Sequence, residues 1–273
     1  MQFIKENCSL PVPQVFAYES DEDNPVKIAY ILMELLPGSV ALDALGGYEV
    51  HGGEIPKRHR PNFYRLVAKC HVQFTSLRLP KIGLMTRNSE GGFECGPLPG
   101  IGGPFDTATA FFEAWADSAK FKWDKESVTR LSLCDGGPFP LDHDDFHHCN
   151  IMVGENTFDV TGIIDWDGAC TVPWELIAFP DFLTAQPVSF DLPQKYDRDG
   201  QPFDEELRET WRERGEYIEM VKLAESEESQ DSLLSSCLSS KRSQAIAYCY
   251  GAYSCVGKLG FYDRVIKELE SER

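Results

Sequence analysis

The side chains whose pattern points to chemistry lie in residues 140–169, PLDHDDFHHCNIMVGENTFDVTGIIDWDGA. His143-x-Asp145 comes first, Asn150 follows five residues after Asp145, and Asp165 lies fifteen residues after Asn150. IMV and VTGII are strand-like runs flanking the polar turn GENTFD, so the spacing predicts a hairpin that sets Asn150 and Asp165 side by side. Cross-strand neighbours have Cβ atoms about 4.5 to 5.5 Å apart, close enough for an amide oxygen and a carboxylate to share one magnesium ion. Asp145, on the loop entering the first strand, then faces a substrate hydroxyl beside that metal. This arrangement suits phosphoryl transfer, in which oxygen ligands hold a metal on the phosphates and a separate carboxylate takes the acceptor's proton.

The elements that must position these groups belong to a chain of 273 residues with 26 Lys plus Arg against 44 Asp plus Glu, a formal charge of −18. Such a balance argues against a nucleic-acid partner, because a polyanion would meet a like-charged surface. At 42% hydrophobic residues the chain has apolar material for a sizeable core, which excludes general disorder. No run approaches the roughly 18 to 20 apolar residues of a membrane span, and MQFIKENCSL has charges where a secretory signal is apolar. A soluble cytoplasmic protein with no membrane partner is expected. Nine scattered cysteines without a CxxC pair are expected to be reduced and buried.

Along the chain, MQFIKEN predicts a short helix stopped by SLPVPQ, and VFAYES and KIAYILMELL predict two strands of a hairpin. Phe63, Leu66, Val67, Cys70, Phe74 and Leu77 share one helical face, giving an amphipathic helix from Pro61. Residues 87–104 read as a long Gly/Pro-rich surface loop, followed by a helix capped by Asp106 and carrying Phe111, Phe112, Trp115 and Ala119. A solvated helix is expected over 204–228, a polar loop over 226–236, and one or two closing helices over 243–270 around GKLG.

HxD, four residues, Asn, a strand, a turn and a second strand ending in IDW resemble the catalytic and metal-binding segments of the aminoglycoside phosphotransferase and choline kinase group, which has a protein-kinase-like fold. SLPVPQVFAY, YILMELLPG, the GPL and GPF runs and TVPWEL resemble stretches of that family in the same order, covering nearly all of the chain. The resemblance implies an α+β fold: an incomplete N-terminal lobe at 1–37, and a mainly helical C-terminal lobe at 38–273 carrying the catalytic hairpin. Carried over residue by residue, it makes Asp145 the catalytic base, His143 an orienting residue, and Asn150 and Asp165 the magnesium ligands. Met33, Glu34, Leu35 and Leu36 become the hinge whose backbone meets the adenine of ATP. The implied activity is transfer of phosphate from ATP to a hydroxyl of a small acceptor. The alternative is a non-catalytic, pseudokinase-like binding or scaffold protein.

The chain departs from the pattern at Asp144, where the family has glycine, and at His148 and Cys149, where it has proline and a small residue. Asp144 places a second carboxylate beside Asp145, which raises the cost of ionising both. A kinase-like fold also uses a glycine-rich strand pair and a lysine paired with a helical glutamate. Neither is found here, since Lys5 and Glu6 lie at the wrong end of the first helix and Lys27 follows it. Impaired transfer is therefore expected, from a fragment or from a natural loss. His143, Asp145, His147, His148 and Cys149 leave zinc as a minor alternative, with His147 and Cys149 pointing one way from an extended segment and His148 the other. Glu175 and Asp181 either border an acceptor pocket or serve as a cap or surface residues, and Trp166 is expected in the core.

Overall fold

A computed structural model describes residues 1–120, 128–256 and 267. The first helix, α1 (Gln2–Asn7), stops before Pro11 and Pro13, and β1 (Val15–Glu19) and β2 (Tyr30–Met33) then form the expected antiparallel ribbon. β2 starts later than its apolar run suggested. Asn24 closes the turn by donating to Asp21 O (2.6 Å) and Ile28 O (2.8 Å), and Lys27 lies in that turn at φ +56° rather than at the head of the strand. β3 (Ser39–Val40), α2 (Gly47–His51) and the long helix α3 (Arg60–Thr75) follow. The apolar stripe of α3 buries Phe63, Val67, Cys70 and Phe74 as its spacing predicts, with Pro61 in the first turn, where its missing N–H costs nothing.

Residues 87–104 are not simply a loop. β4 (Arg78–Leu79) precedes a hairpin of β5 (Gly83–Arg87) and β6 (Phe93–Gly96), whose turn is closed by Asn88 Oδ1 accepting from the amides of Glu90 (3.1 Å) and Gly92 (2.9 Å). An asparagine followed by glycines supplies both the acceptor and the backbone freedom this turn needs. α4 (Ala108–Ser118) carries the expected aromatics, but its cap is Thr107, whose hydroxyl accepts from Ala110 N at 3.1 Å, and not Asp106. Asp106 instead pairs with Lys81 (3.1 Å).

β7 (Phe139–Asp142), β8 (Ile151–Val153), β9 (Val160–Ile163) and β10 (Cys170–Thr171) complete the strands. Among the described residues three sheets result: the β1-β2 ribbon, a five-stranded sheet in the order β4-β7-β10-β5-β6, and a three-stranded sheet in the order β3-β8-β9. The helices α5 (Glu205–Glu227), α6 (Leu233–Ser239) and α7 (Lys241–Val256) follow. Asp204 caps α5 by accepting from Leu207 N (2.9 Å). The polar loop after it is shorter than expected, because buried Glu225 accepts from Ser235 N (2.9 Å) and draws residues from Leu233 onward into α6. The GKLG segment lies outside the described residues, as does nearly all of the closing stretch beyond Val256.

The core is one aromatic-rich cluster that includes Phe63, Phe74, Phe111, Phe112, Phe139 and Tyr217, all with almost no exposed surface. Cys70, Cys170, Cys237 and Cys249 are buried, as expected of small apolar residues, whereas Cys8, Cys95 and Cys149 are half-buried and Cys134 is exposed, against that expectation. Among the described residues no helix is long and apolar enough to cross a membrane. The α+β class is as expected.

α3 and α5 are tied by charge as well as by packing. Glu213 accepts from Arg60 Nη1 (2.7 Å) and from the Tyr64 hydroxyl (3.0 Å), and burial, helped by the Glu213 charge, pushes the Tyr64 hydroxyl above its ordinary range. Glu213→Ala removes the acceptor of a buried hydroxyl and one of three acceptors of the Arg60 guanidinium, which keeps Glu54 Oε2 and Ile55 O. Urea unfolding should show a loss of about 3 kcal/mol, whereas truncating an exposed acid on the same helix, such as Glu219, should change stability little.

Candidate active site

The hairpin expected of the sequence forms, but its register sets Asn150 opposite Ile164 and not opposite Asp165 as the spacing predicts. β8 and β9 are antiparallel with Ile151 opposite Ile163, and Ile164 N donates to Asn150 O at 2.9 Å. Asn150 thus lies opposite Ile164, with Asp165 the next residue along. The turn between the strands is less solvated than its polarity suggested. Phe158, at φ +60°, is buried and stacks on His59 with ring centroids 5.0 Å apart, which pins the hairpin to α3.

Asn150 is buried, and its side-chain amide donates to the Asp145 carboxylate (2.8 Å) and to Asp145 O (3.0 Å). With its nitrogen committed there, the amide oxygen is left as a donor atom for a cation. Asp145 and Asp165 are both exposed to solvent. Asp165 takes φ +64°, a left-handed conformation that a short polar side chain tolerates better than a branched one. Asp145 and Asn150 are therefore in direct contact, and Asp165 follows Ile164, the residue whose amide bonds Asn150 O. A buried amide oxygen and an exposed carboxylate form a hard-oxygen set that fits magnesium.

His143 is buried, its Nε2 bonds Ile164 O (2.8 Å), and its ring lies 4.4 Å from that of Trp166. Burial holds its pKa below the ordinary value, opposed by the Ile164 carbonyl and by the charges of Asp145, Asp165 and Asp167. It is a core histidine clamping the catalytic loop to the end of β9. Trp166 packs as expected, donating to Ile163 O (3.0 Å) and meeting Phe74 edge-on.

The proposed hinge residues lie together along one strand and linker but face different surroundings. Met33 ends β2 opposite Val15, and Glu34 accepts from Gln14 N (3.0 Å) and Lys5 Nζ (3.3 Å). Leu35 is 94% exposed, whereas Leu36 packs so closely on β9 that a Cβ at Gly162 would fall 2.1 Å from Leu36 Cδ1. The linker continues into β3, which pairs with β8, and Thr161 donates to Pro37 O (2.7 Å). The linker after residues 33–36 thus runs into the small sheet that carries the β8–β9 hairpin. The sequence reading had not placed β3 there, since two residues are too short a run to register as a strand.

Asp144 stands at φ +69°, which is the physical reason glycine suits that position. Its carboxylate approaches Gly168, where an added Cβ would meet Asp144 Oδ2 at 2.8 Å. Desolvation first, then the charges of Asp145 and Asp167, push its pKa up, as the crowding of like charges predicts. The two histidines do not splay as an extended segment would have them. The loop turns there, and the rings of His147 and His148 stack 4.2 Å apart. His147 Nε2 lies 3.0 Å from Asp181 Oδ2, and His148 Nε2 bonds Gly53 O (2.7 Å). Among the described residues no group of three or more His, Cys, Asp or Glu side chains is placed to hold a metal ion. Glu175 is buried, and its carboxylate accepts from Leu133 N and from Cys134 N (2.6 Å).

One carboxyl escaped the sequence reading. Asp142, at the end of β7, has its pKa pushed up to about 7 by desolvation and by the Asp144 charge. The signal was a lone acid closing an apolar strand. With the folded-state pKa above the ordinary carboxylate value, the folded chain holds a proton that the unfolded chain has lost. The penalty for charging this group is absent below about pH 4 and grows until pH passes about 7. Asp142→Asn should therefore flatten the fall in stability across that window, a slope of at most about 1.4 kcal/mol per pH unit, read from thermal melts between pH 5 and 8.5.

Comparison with known proteins bears on the whole chain. Curated proteins offer no match. Among solved structures the chain is similar to an aminoglycoside-3'-phosphotransferase of type VIII, with 16% identity, a TM-score of 0.37, and coverage of 82% of this chain and 76% of that one. It is also similar to a thermostable mutant of the aminoglycoside phosphotransferase APH(4)-Ia in ternary complex with AMP-PNP and hygromycin B, with 17% identity, a TM-score of 0.44, and coverage of 97% and 80%. The family model described as the phosphotransferase enzyme family, APH, matches residues 1–174, a span that contains the ribbon, the linker and the entire catalytic hairpin. The chain, with Asp145 bonded to Asn150 and Asp165 one step along the ladder, belongs to the APH phosphotransferase family.

Proposed function

We propose that this protein is a small-molecule kinase, transferring the terminal phosphate of ATP to a hydroxyl of a small acceptor. The observation that carries the reading is the 2.8 Å bond from the Asn150 amide to the Asp145 carboxylate, beside a β-ladder that delivers Asp165. Asp145 is the general base: its exposed carboxylate accepts the acceptor's proton as the hydroxyl oxygen attacks phosphorus, and Asn150 fixes its direction. Asn150 Oδ1 and Asp165 would hold magnesium, which supplies neutralisation of the phosphate oxygens. His143 acts through the loop, not on substrate. Met33, Glu34, Leu35 and Leu36 would offer backbone groups to adenine, and residues 1–37 would be the nucleotide-facing part of the chain.

Transfer by the 273-residue chain is proposed to be slow. Lys5 is paired with Glu34 and Lys27 with Asp23, so neither is at hand for the phosphates. A second reading, a nucleotide-binding protein without transfer, is favoured by the same pairings.

The experiment separates binding from chemistry. Magnesium-ATP should raise the melting temperature of the purified chain, and Asp165→Ala should abolish that rise. Asp145→Asn should keep the rise and lower phosphate transfer to hydroxylated acceptors by about 100-fold or more. A rise without measurable transfer would establish the second reading, and no magnesium-dependent rise would sink both.

A further inference from the structure

The loop that carries Asp145 has no regular secondary structure, yet its hydrogen bonds converge on one residue. His147 N donates to Asp145 O (2.8 Å), Asn150 N donates to His147 O (2.9 Å), and Cys149 N donates to His147 Nδ1 (3.2 Å). An amide N–H can bond only an unprotonated ring nitrogen, so the imidazole proton is on Nε2. That nitrogen faces Asp181 Oδ2 at 3.0 Å. Asp181 belongs to a separate element, the short turn Asp181–Leu183 after Pro180, and its own N–H donates to Phe146 O (3.1 Å). The turn is anchored in turn by Phe182, whose ring stacks on Tyr64 (5.6 Å) and meets His148 edge-on (6.0 Å).

We propose that His147, locked by Asp181 as the Nε2-protonated tautomer, is the positioning residue that aims the Asp145 carboxylate at the acceptor hydroxyl. This rests on the phosphotransferase reading above. His147 touches no reacting atom. Its backbone brackets Asp145 on one side and Asn150 on the other, and its ring transmits the fixed position of the 181–183 turn to both. His148 supports the arrangement from beneath. The His148 ring stacks on that of His147 at 4.2 Å, and its Nε2 bonds Gly53 O (2.7 Å).

Two variants of Asp181, an exposed side chain whose loss removes no core packing, test the proposal. Asp181→Ala should lower kcat by about 10- to 100-fold with the KM for ATP unchanged, the cost of a small misplacement of the base. Asp181→Asn keeps an accepting oxygen and should restore most of the rate. Nitrogen NMR of the histidine-labelled chain should show His147 with one protonated and one bare ring nitrogen in the parent and in Asp181→Ala a mixture of tautomers. An unchanged kcat in Asp181→Ala, or a mixed tautomer in the parent, would overturn the proposal. If the parent transfers no phosphate, the functional reading falls, and the tautomer comparison alone decides the positioning role: loss in Asp181→Ala upholds it and no change refutes it.

Discussion

The register of the β8–β9 pair is the constraint from which the rest of the site follows. Ile151 faces Ile163, both wholly buried, and that pairing leaves Asn150 and Ile164 as the next rung. A one-residue slip would turn every side chain of one strand to the opposite face, exposing the isoleucines and sending Asp165 away from Asn150. The apolar demand of the core therefore sets the geometry of polar groups that do not themselves belong to the core. β3 and the linker before it pair onto the same hairpin, with Ala41 N donating to Ile151 O (2.8 Å) and Ile163 N donating to Pro11 O (2.8 Å). Segments far apart in sequence are thus referenced to one ladder.

Around that ladder the chain gathers carboxylates at close quarters: Asp142, Asp144, Asp145, Asp165 and Asp167. Desolvation and mutual repulsion push Asp142 and Asp144 above the ordinary carboxylate range, so the crowding is a real cost to the fold. His143 tolerates the field because burial keeps its ring neutral and the Ile164 carbonyl takes its one bond.

The ribbon is built differently. Phe16, Tyr18, Ile31 and Leu32 are all more than half exposed on a two-stranded sheet, whereas the hairpin that carries the site buries Ile151, Val153 and Ile163. Two strands alone bury little, and such a ribbon is marginal in water unless another layer covers it. Glu34 just after it pairs with Lys5 of α1, the linker beyond runs into β3, and Val15, Tyr18 and Ile31 line a cavity with Met85 and Phe93 of the body.

The amino-acid sequence by itself determined the elements with strong period or punctuation: α3 from its apolar stripe, α5 from its acid-rich face and Asp204 cap, the ribbon, and the catalytic hairpin with Asp145, Asn150 and Asp165 in order. These depend on neighbours a few residues away, which local chemistry dictates. Tertiary structure alone decided what depends on distant partners. Thr107 rather than Asp106 caps α4, because Asp106 is drawn to Lys81. Glu225 shortens a polar loop by reaching Ser235, and Phe158 turns inward from a polar turn because α3 offers it an aromatic bed. His147 takes its partner thirty-four residues away at Asp181, where no local pattern points. Burial and long-range pairing are properties of the assembled chain, and they select among conformations that local preference leaves equally open.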